Sequence, residues 1–154
     1  MLPRNPKIVA LQAPVTTNGA ITTPFINCKN ASKVIFVCVL KQAVAHATVV
    51  SIYQGNAKTG GTEKIIANTV PIWLNADIDS SSDLTAQMDA ASLTMAASAK
   101  DMVIIFQLDP AALDSGYGYA GIHTTASSQI TNFMSVTALV FARGGGVDEL
   151  DLLT

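Results

Sequence analysis

Val34–Leu40 (VIFVCVL) is the longest unbroken apolar run in the chain, and it constrains the fold more than any other segment. Seven residues are far short of the roughly 20 that a membrane-spanning helix needs. The β-branched side chains favour a strand, and a run with no polar break suits a strand buried on both faces. A buried strand is therefore expected over Lys33 to Gln42. Composition matters here because the rest of the chain is also apolar. Charged residues make up only 13% of the 154 residues, about half the roughly 25% usual for a globular domain. Mean hydropathy is +0.38. A chain this apolar, with no membrane span, has either a large core for its size or surface hidden against other chains. The second is expected.

Further strand signals follow in order. His46–Gln54 (HATVVSIYQ) is β-branched, and Ala43-Val44-Ala45 before it is too short for a helix, so a hairpin with the first strand is expected. Gly55–Thr62 is a loop by composition. Val70–Asn75 (VPIWLN) is strand-like, but Pro71 cannot donate to a ladder, which places it at an edge or a bulge. Leu84–Met95 fits helix and strand alike, with a strand favoured at Ala91–Met95. Asp101–Leu108 and Phe133–Ala142 are strands, and Tyr117–Thr124 alternates as one. Asp109-Pro110 ends its strand and leaves one helical turn over Pro110–Leu113. No long amphipathic helix is legible. Many short strands at regular spacing indicate an all-β single domain, a β-sandwich or jelly roll, over residues 21–143.

The two ends differ from this body. Residues 1–20 carry Pro3, Pro6 and Pro14 with Ile8, Val9 and Leu11 between them, and are expected to form an extended arm. Residues 144–154 begin with three glycines, a flexible hinge. Val147, Leu150, Leu152 and Leu153 follow, interleaved with Asp148, Glu149 and Asp151. A short segment that docks on a neighbour accounts for three leucines beyond a hinge. These seven apolar residues are the expected subunit contacts. The N-terminus lacks the apolar core of a signal peptide, so synthesis in a cytoplasm is expected.

The catalytic and ligand motifs in the chain are each incomplete. Gly116–Gly121 (GYGYAG) matches G-x-G-x-x-G, but a dinucleotide site needs a strand before it, a helix after it and an acid about 20 residues on. Here an Asp-Pro turn precedes and a polar β-like stretch follows, so the glycines are expected to serve a tight turn or bulge. Asp77–Asp83 (DIDSSSD) resembles the start of a calcium loop. It has Ser82 where the glycine belongs and Met88 where the bidentate Glu belongs, so an Asx-type turn is the expectation. His46 and His123 have no nucleophile elbow near them and are expected on strand surfaces. Trp73 is the single tryptophan. It is expected in the core, the alternative being a carbohydrate-binding face with Tyr117 or Tyr119. Cys28 and Cys38 are expected as buried free thiols, and no Cys/His spacing suits zinc. Nine Lys and Arg against eleven Asp and Glu give a net charge of −2, with no basic patch for nucleic acid. No cofactor and no enzymatic activity are expected.

The order of segments carries a resemblance. KVIFVCVLKQA, ATVVSIYQ, GGTEKII, VPIWLNADIDSSSDL, KDMVIIFQLDPAALD and GYGYAGIHTTASS succeed one another, then a last apolar strand. Over about Ile21 to Arg143 this resembles a family of small virion structural proteins of tailed bacteriophages and prophages. Its most specific pieces are Val70–Asn75 and Ile105–Leu113 with its D-P-x-x-L. The resemblance implies a β-sandwich cement or decoration protein on the capsid exterior, a dimer or trimer bound to the major capsid protein. The alternatives are a tail-tube, baseplate or head-fibre component, or a carbohydrate-binding module.

Overall fold

The computed structural model describes residues 6–143. Twelve strands follow one another: β1 (Lys7–Thr16), β2 (Ile21–Thr22), β3 (Ile26–Asn27), β4 (Ala31–Lys41), β5 (Val49–Ala57) and β6 (Gly60–Ile65), then β7 (Ile72–Asn75), β8 (Thr85–Ala86), β9 (Ser92–Thr94), β10 (Asp101–Leu108), β11 (Tyr119–Thr124) and β12 (Phe133–Ala142). Among the described residues one 3-10 turn, Pro110–Ala112, is capped by the Asp109 carboxylate, which accepts from the Ala111 N–H at 2.9 Å. Proline at the first helical position and a carboxylate before it are the chemistry that starts such a turn.

The strands form two antiparallel sheets. The first runs β1-β12-β4-β10-β7-β8. The second runs β2-β11-β5-β6, with β3 also paired to β11 and β9 to β5. Side chains alternate across each strand, so every second residue enters the layer between the sheets. From the first sheet these are Val34, Phe36, Cys38 and Leu40 of β4, Met102, Ile104, Phe106 and Leu108 of β10, and Met134, Val136, Ala138 and Val140 of β12. From the second sheet Val50, Ile52, Ala120 and Ile122 meet them in one core cluster. This is the all-β sandwich that the strand spacing implied.

Three expectations are corrected. First, β4 is buried on one face only: Val34, Phe36, Cys38 and Leu40 are at 0–1% exposure, while Val39 on the opposite face is 38% exposed. Second, β4 and β5 do not pair. They are interior strands of different sheets, and the connection between them passes from one sheet to the other. Asn132 holds that connection with two bonds to one residue: it accepts from the Val44 N–H at 2.9 Å and donates to the Val44 carbonyl at 2.8 Å. His46 sits in this connection rather than on a strand.

Third, residues 7–16 are not a free arm. They pair with β12 over Lys7↔Val140 to Thr16↔Phe133 and close one edge of the first sheet. Val9 and Leu11 point inward, at 8% and 6% exposure, and belong to the core. Pro14 is accommodated because the ladder is shifted between Gln12 and Val15, an irregular edge being where a strand tolerates proline. Residues 7–16 therefore belong to the sandwich rather than to an arm.

Candidate functional site

The correction at β4 defines the most unusual surface of the molecule. The residues that alternate with the core set point away from the sandwich, and register places them in rows across the first sheet. Ile8, Leu139, Ile35 and Gln107 form one row. Ala10, Thr137, Val37, Ile105 and Trp73 form the next. Ser135, Val39, Val103 and Asn75 form the third. Neighbouring strands lie about 4.8 Å apart, so these side chains touch across the strands as a continuous layer.

The centre of this face holds no charged residue. Charges stand at its ends: Lys33 lies 5.1 Å from the Phe141 ring centroid at one end, and the paired Lys41 and Asp101 occupy the other. Ile8 at the β1 edge is 69% exposed, while Trp73, Ile35, Val37, Ile105 and Leu139 are half-buried by one another. An antiparallel sheet with one solvated face normally alternates apolar-in with polar-out. Here nine of the thirteen outward positions in the three rows are apolar as well, the other four being the uncharged Gln107, Thr137, Ser135 and Asn75. On the outward side of the second sheet Tyr53 and His123 stand half-buried, their rings stacked at 4.7 Å, and the segment Thr23–Phe25 packs over Gly121.

The expected contact residues divide three ways. Ile8 lies on the outward face. Val9 and Leu11 are buried in the chain's own core. Val147, Leu150, Leu152 and Leu153 lie outside the described residues. Trp73 is not a core residue: it stands on the outward face of the first sheet, paired with Ile105 and Ala86. Tyr119 lies on the opposite side of the sandwich, on β11, so the two do not form one carbohydrate-binding platform. The outward residues Ile35, Val37, Leu139, Val103 and Ile105 were missed as a site. Their signal was the unbroken run itself, since a strand that is apolar at every position asks for two covered faces.

The remaining motifs serve structure. Asp77 closes a turn: its carboxylate accepts from the Ser80 hydroxyl at 2.8 Å and its carbonyl from the N–H groups of Ser80 and Ser81. The hydrogen bond from Lys100, and then that from Ser80, hold the Asp77 carboxyl below its ordinary range. Asp114 is lowered in the same way, by Lys64 first and then Gln54. Among the described residues, no cluster of three His, Cys, Asp or Glu side chains is placed to hold a metal ion.

Gly116, at φ +87°, makes the turn before β11, and a strand rather than a helix follows it. Gly121 sits at a close approach, where a Cβ would stand 3.2 Å from the Pro24 carbonyl, tighter than ordinary contact. A cleft beside this turn is lined by Cys28, Lys29, Leu113, Tyr117 and Arg143. Its thiol is no nucleophile at neutral pH, because burial pushes Cys28 up to about 12. Cys38 is likewise free, buried and raised to about 12 by desolvation. Among the described residues, no helix is long and apolar enough to cross a membrane.

No protein-family profile and no curated protein sequence matches this chain. Among solved structures it is similar to the SPBc2 prophage-derived protein YomS, with a TM-score of 0.50 and 8% sequence identity. The match covers 88% of this chain and 92% of that one. At this identity the likeness is one of fold.

Proposed function

We propose that this chain is a structural protein of a bacteriophage virion, a capsid cement or decoration protein that binds the major capsid shell from outside and stabilises it without catalysis. One observation carries the reading: the outward face of the first sheet holds no charged residue in its three central rows, is mostly apolar there, and is only partly covered within the chain. Contiguous exposed apolar surface of this kind marks an interaction site. The absence of charge at its centre, with Lys33, Lys41 and Asp101 at its ends, is the anatomy of a protein interface. The order of strand and turn motifs resembles that of small phage virion proteins, and a prophage-derived protein shares the fold. On a symmetric shell many identical weak contacts act together, so a small domain holds without a large interface per copy.

The test is made on virions of the phage whose genome encodes the chain. Antibodies raised against it and labelled with gold should decorate heads, and virions lacking the gene should lose DNA at lower temperature than complete ones. Label confined to tails would favour a tail-tube, baseplate or fibre component. Absence of the chain from purified virions would overturn the structural reading.

A further inference from the structure

We infer that the occupant of the outward face of the first sheet is a second copy of this chain, packed sheet against sheet about a two-fold axis. The inference rests on the reading of the chain as an assembly protein; it assigns this face to contact between copies and leaves contact with a shell to the remaining surface of the dimer. Three arguments select a second copy.

The first is timing. A virion protein is made before it meets a shell, and a free chain would leave the half-exposed apolar patch of Ile35, Val37, Val39, Ile105 and Trp73 open to unspecific association. The cover must be present wherever the chain is, which a second copy satisfies and a capsid does not. The second is composition. Interfaces formed by permanent homodimers are more apolar than those of partners that meet later, and the three central rows here hold no charged side chain.

The third is area. The thirteen outward residues of the three rows, each covering about 4.8 Å by 6.6 Å of sheet, give a flat footprint of about 410 Å² per copy. Two such faces with their side-chain relief come to about the 1,000 Å² total that a specific interface must clear. The geometry is an ordinary one for sheets. Two faces of this kind pack about 10 Å apart with strands within about 30° of each other. The axis passes near Val37, the middle residue of the apolar rows on the central strand β4. Val37 then lies over Val37 of the other copy, and Trp73 fills the flank.

Native mass measurement of the full chain should give twice 16.1 kDa at micromolar concentration. Val37→Lys places an unpaired charge in the interface and should raise the dimer dissociation constant by at least about 100-fold. It should keep the wild-type far-ultraviolet dichroism, because a lysine is welcome on a solvated sheet face. The wild-type chain supplies a measurement that does not depend on any variant folding. Trp73 is the single tryptophan and lies on the face, so its emission should shift to the red on dilution, together with the loss of dimer mass.

A chain lacking residues 144–154 should still dimerise. A wild-type chain that is monomeric at micromolar concentration overturns the proposal. So does a Val37→Lys chain that remains fully dimeric. If the truncated chain alone becomes monomeric or begins to bind hydrophobic dyes, the occupant is the C-terminal segment and the proposal also falls. None of these failures bears on whether the chain is found in virions, which the gold-labelling experiment decides separately.

Discussion

Phe36→Ala is expected to lower the unfolding free energy by about 3–5 kcal/mol, the range for removing a buried phenylalanine. Phe36 on β4 and Phe106 on β10 stand opposite each other in register, both at 0% exposure. They sit at the centre of the layer, with Ala138 on the next strand across. The small alanine there leaves room for the two rings, and none of the three has space to relax into a cavity left by the other. Urea unfolding at fixed protein concentration measures the effect, which should appear as a lower midpoint with an unchanged slope. For a domain with a typical stability of about 5–15 kcal/mol this is a large fraction of the total. A loss below about 1 kcal/mol would contradict the placement of Phe36.

The second large effect separates a strand from an arm at the N-terminus. Leu11→Ala should cost about 2–3 kcal/mol, at the low end for a buried leucine because an edge strand can settle inward. Ile8→Ala, three residues earlier on the same strand, should change the stability of the monomer by no more than about 0.5 kcal/mol. The contrast follows from side-chain direction, since Leu11 is 6% and Ile8 69% exposed. A free arm predicts no change in monomer stability for either. Equal effects from the two variants in a dilute urea titration would contradict the β1 pairing.

Local pattern carried much of this fold. Asp101–Leu108 and Phe133–Ala142 begin and end in the structure where their apolar alternation begins and ends. The turn at Pro110 follows from Asp109 and Pro110 alone. Pairing between distant segments was not legible in the same way. The segment 42–48 lacks an Asn-Gly or Asp-Gly pair, which is the chemistry that closes a tight hairpin, and the chain in fact crosses there between sheets. The N-terminal strand was hidden by its prolines, because local pattern cannot say that a strand will lie at an edge and pair irregularly.

The interaction face was half legible. Ile35, Val37 and Val39 are chemically the same as Val34, Phe36 and Leu40, so hydropathy gives no amplitude from which to tell inside from outside. It does say that both sides want cover. Only the register of β4 against β10 and β12 shows which side the chain covers itself.

That uncovered side is the centre of the account, and hydroxyl-radical footprinting of the assembled protein tests it most directly. Met88 is 87% exposed and serves as a reference within the same chain. In the full-length assembly, in solution and on virions, Trp73 should be oxidised far more slowly than Met88. Its protection should disappear in the Val37→Lys chain while Met88 is unchanged. Trp73 oxidised as readily in the assembly as in that variant would show that the apolar face of the first sheet is open to water, and would contradict the account.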